Sequence, residues 1–402
     1  MSSIRSLSAY SVLSSNGMPT VEVKITLQSG ITAHAAAPKG QSCGKFEKTE
    51  HRDQDGLRVS EALRMCEFTV APAFIGRDSA DHLDLDKTLM SLAHDGKPLP
   101  SNVTLPVSIA LAIAHSKEIG QDLSHYIGGI SQHATIPIPC INMINGGIHG
   151  NNQSLLQEYL ILPHGASSFS EAISWAVTIC HNLKLNLKKK GLLAGVGDEG
   201  GFVLATDSVT APFDILLESI HTSGLSDAHV SLGIDCAASG YYHKHMYVDY
   251  PGLPGEKQSA EVSTFLKNLA QTYPITYIED PFSEEDLNAW ASFDVEAHII
   301  GDDLFATNAK RLNNVSHQAA NGIMIKPNQV GTLSDTMQTI MQARLLGYNT
   351  VFAHRSADTE DTWISELAIG FQADMIKFGN IIRGERTAKY NALLRFFRIK
   401  NL

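Results

Sequence analysis

The chain has 402 residues, 43% apolar and 18% charged, which is enough apolar material for a large core and too little charge for a disordered polymer. Lys plus Arg number 31 against 42 Asp plus Glu, a net charge of −11, so nucleic acid and anionic membrane surfaces are excluded as main partners. Five scattered cysteines (43, 66, 140, 180 and 236) form no CxxC pair, which fits a reducing cytoplasm better than a disulfide-stapled fold.

The N-terminus, MSSIRSLSAYSVLSSNG, lacks the apolar segment of a secretion signal. TVEVKITL (20–27) alternates like a half-buried strand, while SEALRMCEF and VSIALAIAHSKE read as helices. The longest apolar stretch, Val103 to Ala114, is interrupted by Thr104, Pro106 and Ser108 and is not expected to cross a membrane. This is α+β material, and we place its end near Gln132, giving an N-terminal domain over 1–132 and a second domain over 133–402.

Beyond Ile136 short Ile/Val-rich runs end in charged residues: SLGID at Asp235, ITYIED at Glu279, HIIGDD at Asp302, GIMIK at Lys326, TVFAHRS at His354 to Ser356 and MIK at Lys377. Successive ends lie 44, 23, 24, 28 and 23 residues apart, and about 25 residues is what one strand, one helix and two loops require. The spacing predicts an eight-stranded α/β barrel of parallel strands, whose C-terminal strand ends form the mouth where catalytic groups sit. The alternative is that each charge only opens a solvated loop.

Asp235, Glu279 and Asp302 would converge at that mouth, where three carboxylates repel unless a cation neutralises them. An all-oxygen set favours Mg²⁺, with Mn²⁺ as a substitute; the competing reading is that they pair with Lys326, Arg355 and Lys377. Lys326 and Lys377 are candidate bases whose pKa burial and a metal would depress. Glu199, in the glycine-rich GVGDEGGF, is a candidate general acid if its carboxyl is held neutral. Arg355 and Ser356 suit a phosphate, although Arg355 has Asp358 and Glu360 as local alternatives. GVGDEGG also matches GxGxxG, but KKKGLLA before it is no buried strand and no clear helix follows, so a dinucleotide site is rejected. His149, among the glycines of INGGIHGNN, reads as the tip of a lid, followed by Gln157 and Glu158.

Together these segments resemble the enolase family over nearly the whole length: NGMPTVEV, QEYLILPHGA, VGDEGGF, GIDCAAS, YIEDPF, GDDLFATN, IKPNQVGTLSDT, HRSADTED and RTAKYNALLR occur in the family's order. The resemblance implies a capping α+β domain on a barrel with a ββαα start. It implies Mg²⁺ on Asp235, Glu279 and Asp302, Lys326 as base, Glu199 as acid, and substrate contacts from His149, Gln157, Glu158, His354, Arg355, Ser356 and Lys377. The implied reaction is the glycolytic dehydration of 2-phosphoglycerate, a small phosphorylated carboxylate, to phosphoenolpyruvate. It also implies a homodimer, in which Glu22 and Arg395 match an intersubunit ion pair and Tyr10 and Phe397, replacing a second pair, would supply an aromatic contact.

The sequence departs from the family pattern around this core. The lid reads Lys39-Gly40-Gln41-Ser42-Cys43-Gly44 where the family has a serine that binds a second Mg²⁺; the expectation is that Lys39 supplies part of that charge and one ion suffices. Gly240 replaces a glutamate after CAAS, and Ala353 and Phe378 replace a serine and a threonine. Three functions are compatible with this pattern: an enolase, an enolase-like lyase acting on a phosphonate or phosphinate analogue, and a silent homologue used as a binding protein.

Overall fold

The computed structural model describes residues 2–41, 44–131, 135–151, 154–315 and 319–400. Ser42, Cys43 and the domain boundary at 132/133 lie outside the described residues. Strands β1 (Ile4–Leu13), β2 (Pro19–Leu27) and β3 (Thr32–Ala36) form an antiparallel sheet in the order β1-β2-β3. In β2, Val21, Val23 and Ile25 share the inward face and are fully buried, as strand alternation requires. Helix α1 (His82–Ser91) and helix α2 (Ser101–Glu118) complete the cap. The apolar stretch 103–114 is the interior of α2, packed on β2 and β3 with nearly every side chain buried. No helix among the described residues is long and apolar enough to cross a membrane. SEALRMCEF is helical throughout, the α-helix Ser60–Arg64 passing into a π-helical segment at Met65–Val70.

The second sheet contains β4 (Ile138–Pro139), β5 (Ile141–Asn145), β6 (Glu158–Leu162), β7 (Leu193–Val196), β8 (Phe202–Leu204) and β9 (Ser231–Asp235). It continues with β10 (Ile275–Glu279), β11 (His298–Gly301), β12 (Gly322–Ile325), β13 (Asn349–Ala353) and β14 (Met375–Lys377). Its order is β4-β14-β13-β12-β11-β10-β9-β6-β5-β8-β7. Only Cys140 separates β4 from β5, and its N–H donates to Ile376 O at 2.7 Å, so the first and last strands meet and the sheet curls into a barrel. Its interior holds Cys140, Leu160, Leu162, Tyr277, Ile300, Met324, Val351 and Met375.

Spacing alone suggested parallel strands throughout, but β6 runs antiparallel to both β5 and β9. Helices α3 (Phe169–Lys189) and α4 (Ala211–Thr222) follow it before β9, which gives the ββαα start. From β9 onward every neighbouring barrel pair is parallel. Later helices include α5 (Ser259–Thr272), α6 (Leu333–Leu345) and α7 (Gly384–Lys400). The GxGxxG segment is the turn of the β7/β8 hairpin, antiparallel and half exposed on β7, which removes the dinucleotide reading.

The cap meets the barrel through polar groups. Asp86 of α1 accepts from Ser334 N (3.0 Å), Ser334 Oγ (2.6 Å) and Ser108 Oγ (3.0 Å), tying the first turn of α6 to the cap. Lys39 and Ala357 exchange two backbone hydrogen bonds of 2.9 Å, holding the lid's base beside Ser356.

Candidate active site

A cavity of about 310 Å³ opens at the C-terminal ends of the barrel strands. Gln157, Glu158, Glu199, Asp235, Asp302, Lys326, His354, Arg355, Ser356 and Lys377 line it, with Gly40 from the cap and His149 from the loop after β5. Most sit at or just past a strand end, because a side chain leaving the packed interior there has only the mouth to enter.

Lys377 Nζ lies 3.0 Å from Asp235, 2.7 Å from Glu279 and 2.9 Å from Glu158. These three carboxylates outweigh burial and raise the Lys377 pKa well above the lysine range. Lys326 contacts Asp302 directly; burial pushes the Lys326 pKa down, but the Asp302 charge overrides it and the net shift is upward. For both lysines burial acts downward, as expected from sequence, and the neighbouring carboxylates turn the net shift upward. The pairing alternative is realised for Lys326 and Lys377 but not for Arg355. Its guanidinium forms a two-point pair with Glu47 of the cap at 2.8 and 3.1 Å, and it is the Arg355 backbone N–H that meets Asp358.

Asp235, Glu279 and Asp302 lie at or just past the ends of three consecutive strands, the first two paired with Lys377 and the third with Lys326. Glu279 Oε1 is buried without a hydrogen-bond partner, and burial with Asp235 pushes the Glu279 carboxyl well above its usual range. A carboxylate set so short of positive charge fits a divalent cation. Among the described residues, two groups place candidate ligand atoms within 4.8 Å of one another: His149, Glu158 and Glu199, and Asp280, Asp302 and Asp303. Asp280 was not singled out from sequence. Its left-handed backbone (φ 40°) turns its carboxylate back onto the N–H groups of Asp302 and Asp303, each at 2.9 Å.

His149 is buried rather than a lid tip, with Nδ1 3.2 Å from Glu158 and 3.6 Å from Glu199. Burial lowers its pKa, but the two glutamates raise it further than that. Burial and the Glu199 charge push Glu158 up to about 7. Burial also acts to raise Glu199, yet His354, His149 and Arg386 outweigh it and hold its carboxyl well below the usual range, while Asn142 Nδ2 donates to it at 3.2 Å. The net shift of Glu199 is thus downward while those of His149 and Glu158 are upward, whereas the sequence reading had Glu199 held neutral.

Of the predicted site residues, Lys39 and Glu279 do not line the cavity; Glu279 reaches it through Lys377, and Lys39 turns away. Its ammonium lies 3.6 Å from Glu50, and Gly40 faces the cavity instead. Gln41 does reach the site's edge, its N–H donating to Ser356 Oγ at 2.7 Å and its amide to Asp198 at 2.5 Å. Glu47, Asn142, Asp280 and Arg386 were missed; only the buried apolar context of RTAKYNALLR pointed towards the last.

A capped barrel with acid, base and cation-binding groups at one mouth defines a metal-dependent acid–base enzyme of the α/β barrel class. Residues 4–127 match the family model described as "Enolase, N-terminal domain", and residues 133–399 match "Enolase, C-terminal TIM barrel domain". The chain is 38% identical to "Enolase" of Ehrlichia ruminantium (strain Welgevonden) over 413 residues, covering 99% of this chain and 97% of that relative. It is 39% identical to "Enolase" of Ehrlichia canis (strain Jake) over 406 residues, covering 97% and 95%. The chain belongs to the enolase family.

Proposed function

We propose that the chain is a lyase that removes water from 2-phosphoglycerate to give phosphoenolpyruvate with Mg²⁺. The observation that carries this reading is that Lys326 and Glu199, from different parts of the barrel, line one cavity with Asp235, Asp302, Arg355 and Ser356. Asp235, Glu279 and Asp302 would hold the ion; it would neutralise the substrate carboxylate and take up the Asp302 charge that otherwise keeps Lys326 protonated. Lys326 removes the proton next to that carboxylate, and Glu199, resupplied from His149 and Glu158, protonates the departing hydroxyl. Arg355 and Ser356 bind the phosphate, Lys377 supplies charge at the cavity floor, and Gln157 and His354 line its walls.

Two further points belong to this reading. Lys39 takes no part while it is paired with Glu50, so the case for one ion rests on the altered lid alone. A homodimer is inferred from Glu22 and Arg395, but Phe397 is buried against Phe169 at 5.3 Å between ring centres and cannot make the expected intersubunit aromatic contact.

One observation favours the alternative substrate, a phosphonate or phosphinate relative. Gly240 lines the cavity wall, and a Cβ built there meets nothing within 4 Å, so the wall has room beyond the family's glutamate. The test is Mg²⁺-dependent turnover of 2-phosphoglycerate, followed by the absorbance of the enol product. Robust turnover supports the first substrate, and its absence in folded, Mg²⁺-binding protein supports the second.

A further inference from the structure

Arg386 is fully buried in the first turns of α7 and does not line the cavity. Its guanidinium donates from Nη1 to Arg355 O at 2.6 Å and from Nη2 to Ser356 O at 2.5 Å, and it pairs with Asp358 at 3.6 Å. The same Nη1 lies 2.7 Å from His354 Nδ1. A guanidinium offers donors only, so this contact is a hydrogen bond only if Nδ1 presents a lone pair. The imidazole proton must then sit on Nε2, which lies 3.3 Å from Glu199 Oε2. An imidazolium would place two N–H groups head to head at the 2.7 Å contact, with no room to withdraw. Gly379, at φ +75°, closes the ring's other side, since a Cβ there would fall 2.7 Å from His354 Cε1.

We propose that Arg386 is a positioning residue that fixes His354 as the neutral Nε2–H tautomer, so that His354 meets Glu199 as a hydrogen-bond donor and not as a cation. The charged groups facing the ring are Glu199 from the β7/β8 turn, Asp358 from the loop after β13 and Arg386 itself. In agreement, burial with the Arg386 charge takes the His354 pKa down to about 4 despite Glu199. His354 thereby steadies the Glu199 carboxylate without competing for the proton that His149 and Glu158 supply. The same guanidinium also fixes the backbone of Arg355 and Ser356, so one buried side chain orients three consecutive cavity residues. The catalytic consequence rests on the role proposed for Glu199; the tautomer does not.

The test uses the full chain with ¹⁵N-labelled histidine, the His354 ring being identified by its loss in His354→Gln. At pH 7 the two-bond ring spectrum should show Nδ1 unprotonated and Nε2 protonated, with no titration above pH 5. A proton on Nδ1, or on both nitrogens, overturns the proposal even if neither Arg386 variant folds. In Arg386→Met the tautomer preference should be lost, with kcat down about tenfold to a hundredfold. Arg386→Lys, which restores one donor, should recover part of both. An unchanged tautomer in folded Arg386→Met also overturns it. Because the spectrum is read without substrate, failure of the 2-phosphoglycerate assignment leaves this result intact.

Discussion

Glu47 carries the cap into the active site, and its removal should be felt in both stability and activity. Its carboxylate and the Arg355 guanidinium are almost fully buried, 6% and 5% exposed, and meet at two points, 2.8 and 3.1 Å. Glu47 also accepts from Gln329 Nε2 at 3.3 Å and from Gly44 N at 3.1 Å. Glu47→Ala strands a buried guanidinium without this carboxylate, and breaking one side of a buried pair costs about 3–5 kcal/mol. Taking ~3 kcal/mol, and an unfolding entropy of about 2.1 cal/mol/K per residue over 402 residues, Tm should fall by roughly 3.5 °C. Scanning calorimetry of Glu47→Ala, Arg355→Ala and the double variant separates this pair from general disruption. The cycle should give a coupling of about 2 kcal/mol or more, and KM for the phosphorylated substrate should rise in Glu47→Ala as Arg355 loses its orientation. A coupling under about 0.5 kcal/mol would refute the claim that the cap positions Arg355 through Glu47.

Lys48 is largely buried beside Met90 and Thr104, and burial lowers its pKa to about 8 against the weaker upward pull of Asp335 and Asp86. Its folded pKa lies below the unfolded value, so the ammonium form costs stability below pH 8 and the cost disappears between pH 8 and 10.5. Lys48→Met should therefore stabilise the chain at pH 7 by up to about 3 kcal/mol and show little difference at pH 10.5, as read by urea unfolding at both pH values. Asp86→Ala should cost about 3 kcal/mol by stranding three donors at the cap–barrel junction, an effect that urea unfolding against Ser334→Ala can apportion. Light scattering at micromolar concentration should give twice the 43.6 kDa chain mass, and the monomer mass would contradict the dimer.

The barrel was legible because apolar runs ended by a charge mark where a buried strand meets the mouth, and the six runs ending at Asp235 through Lys377 do so at near-regular intervals. The reversal of β6 was not, since a fully buried strand carries the same apolar run in either direction. Of the candidate residues at strand ends, Asp235, Asp302, Lys326 and Lys377 line one cavity. Those missed act across long sequence separations: Glu47 reaches Arg355 over 308 positions, and Asn142 reaches Glu199 over 57. The groups that act on Glu199 were hidden for the same reason, because His149, His354 and Arg386 come from separate segments that no local pattern joins. Lys39 shows a different limit. Its backbone is pinned to Ala357, but a long flexible side chain is free to turn, and it pairs with Glu50, eleven positions on.

The central claim, that Lys326 and Glu199 act separately as base and acid, is tested most directly by exchange of the substrate α-proton with solvent deuterium in the presence of Mg²⁺. Lys326→Ala should abolish both exchange and dehydration, whereas Glu199→Gln should retain exchange and stop dehydration. Equal loss of exchange in both variants, each shown to be folded, would contradict the account.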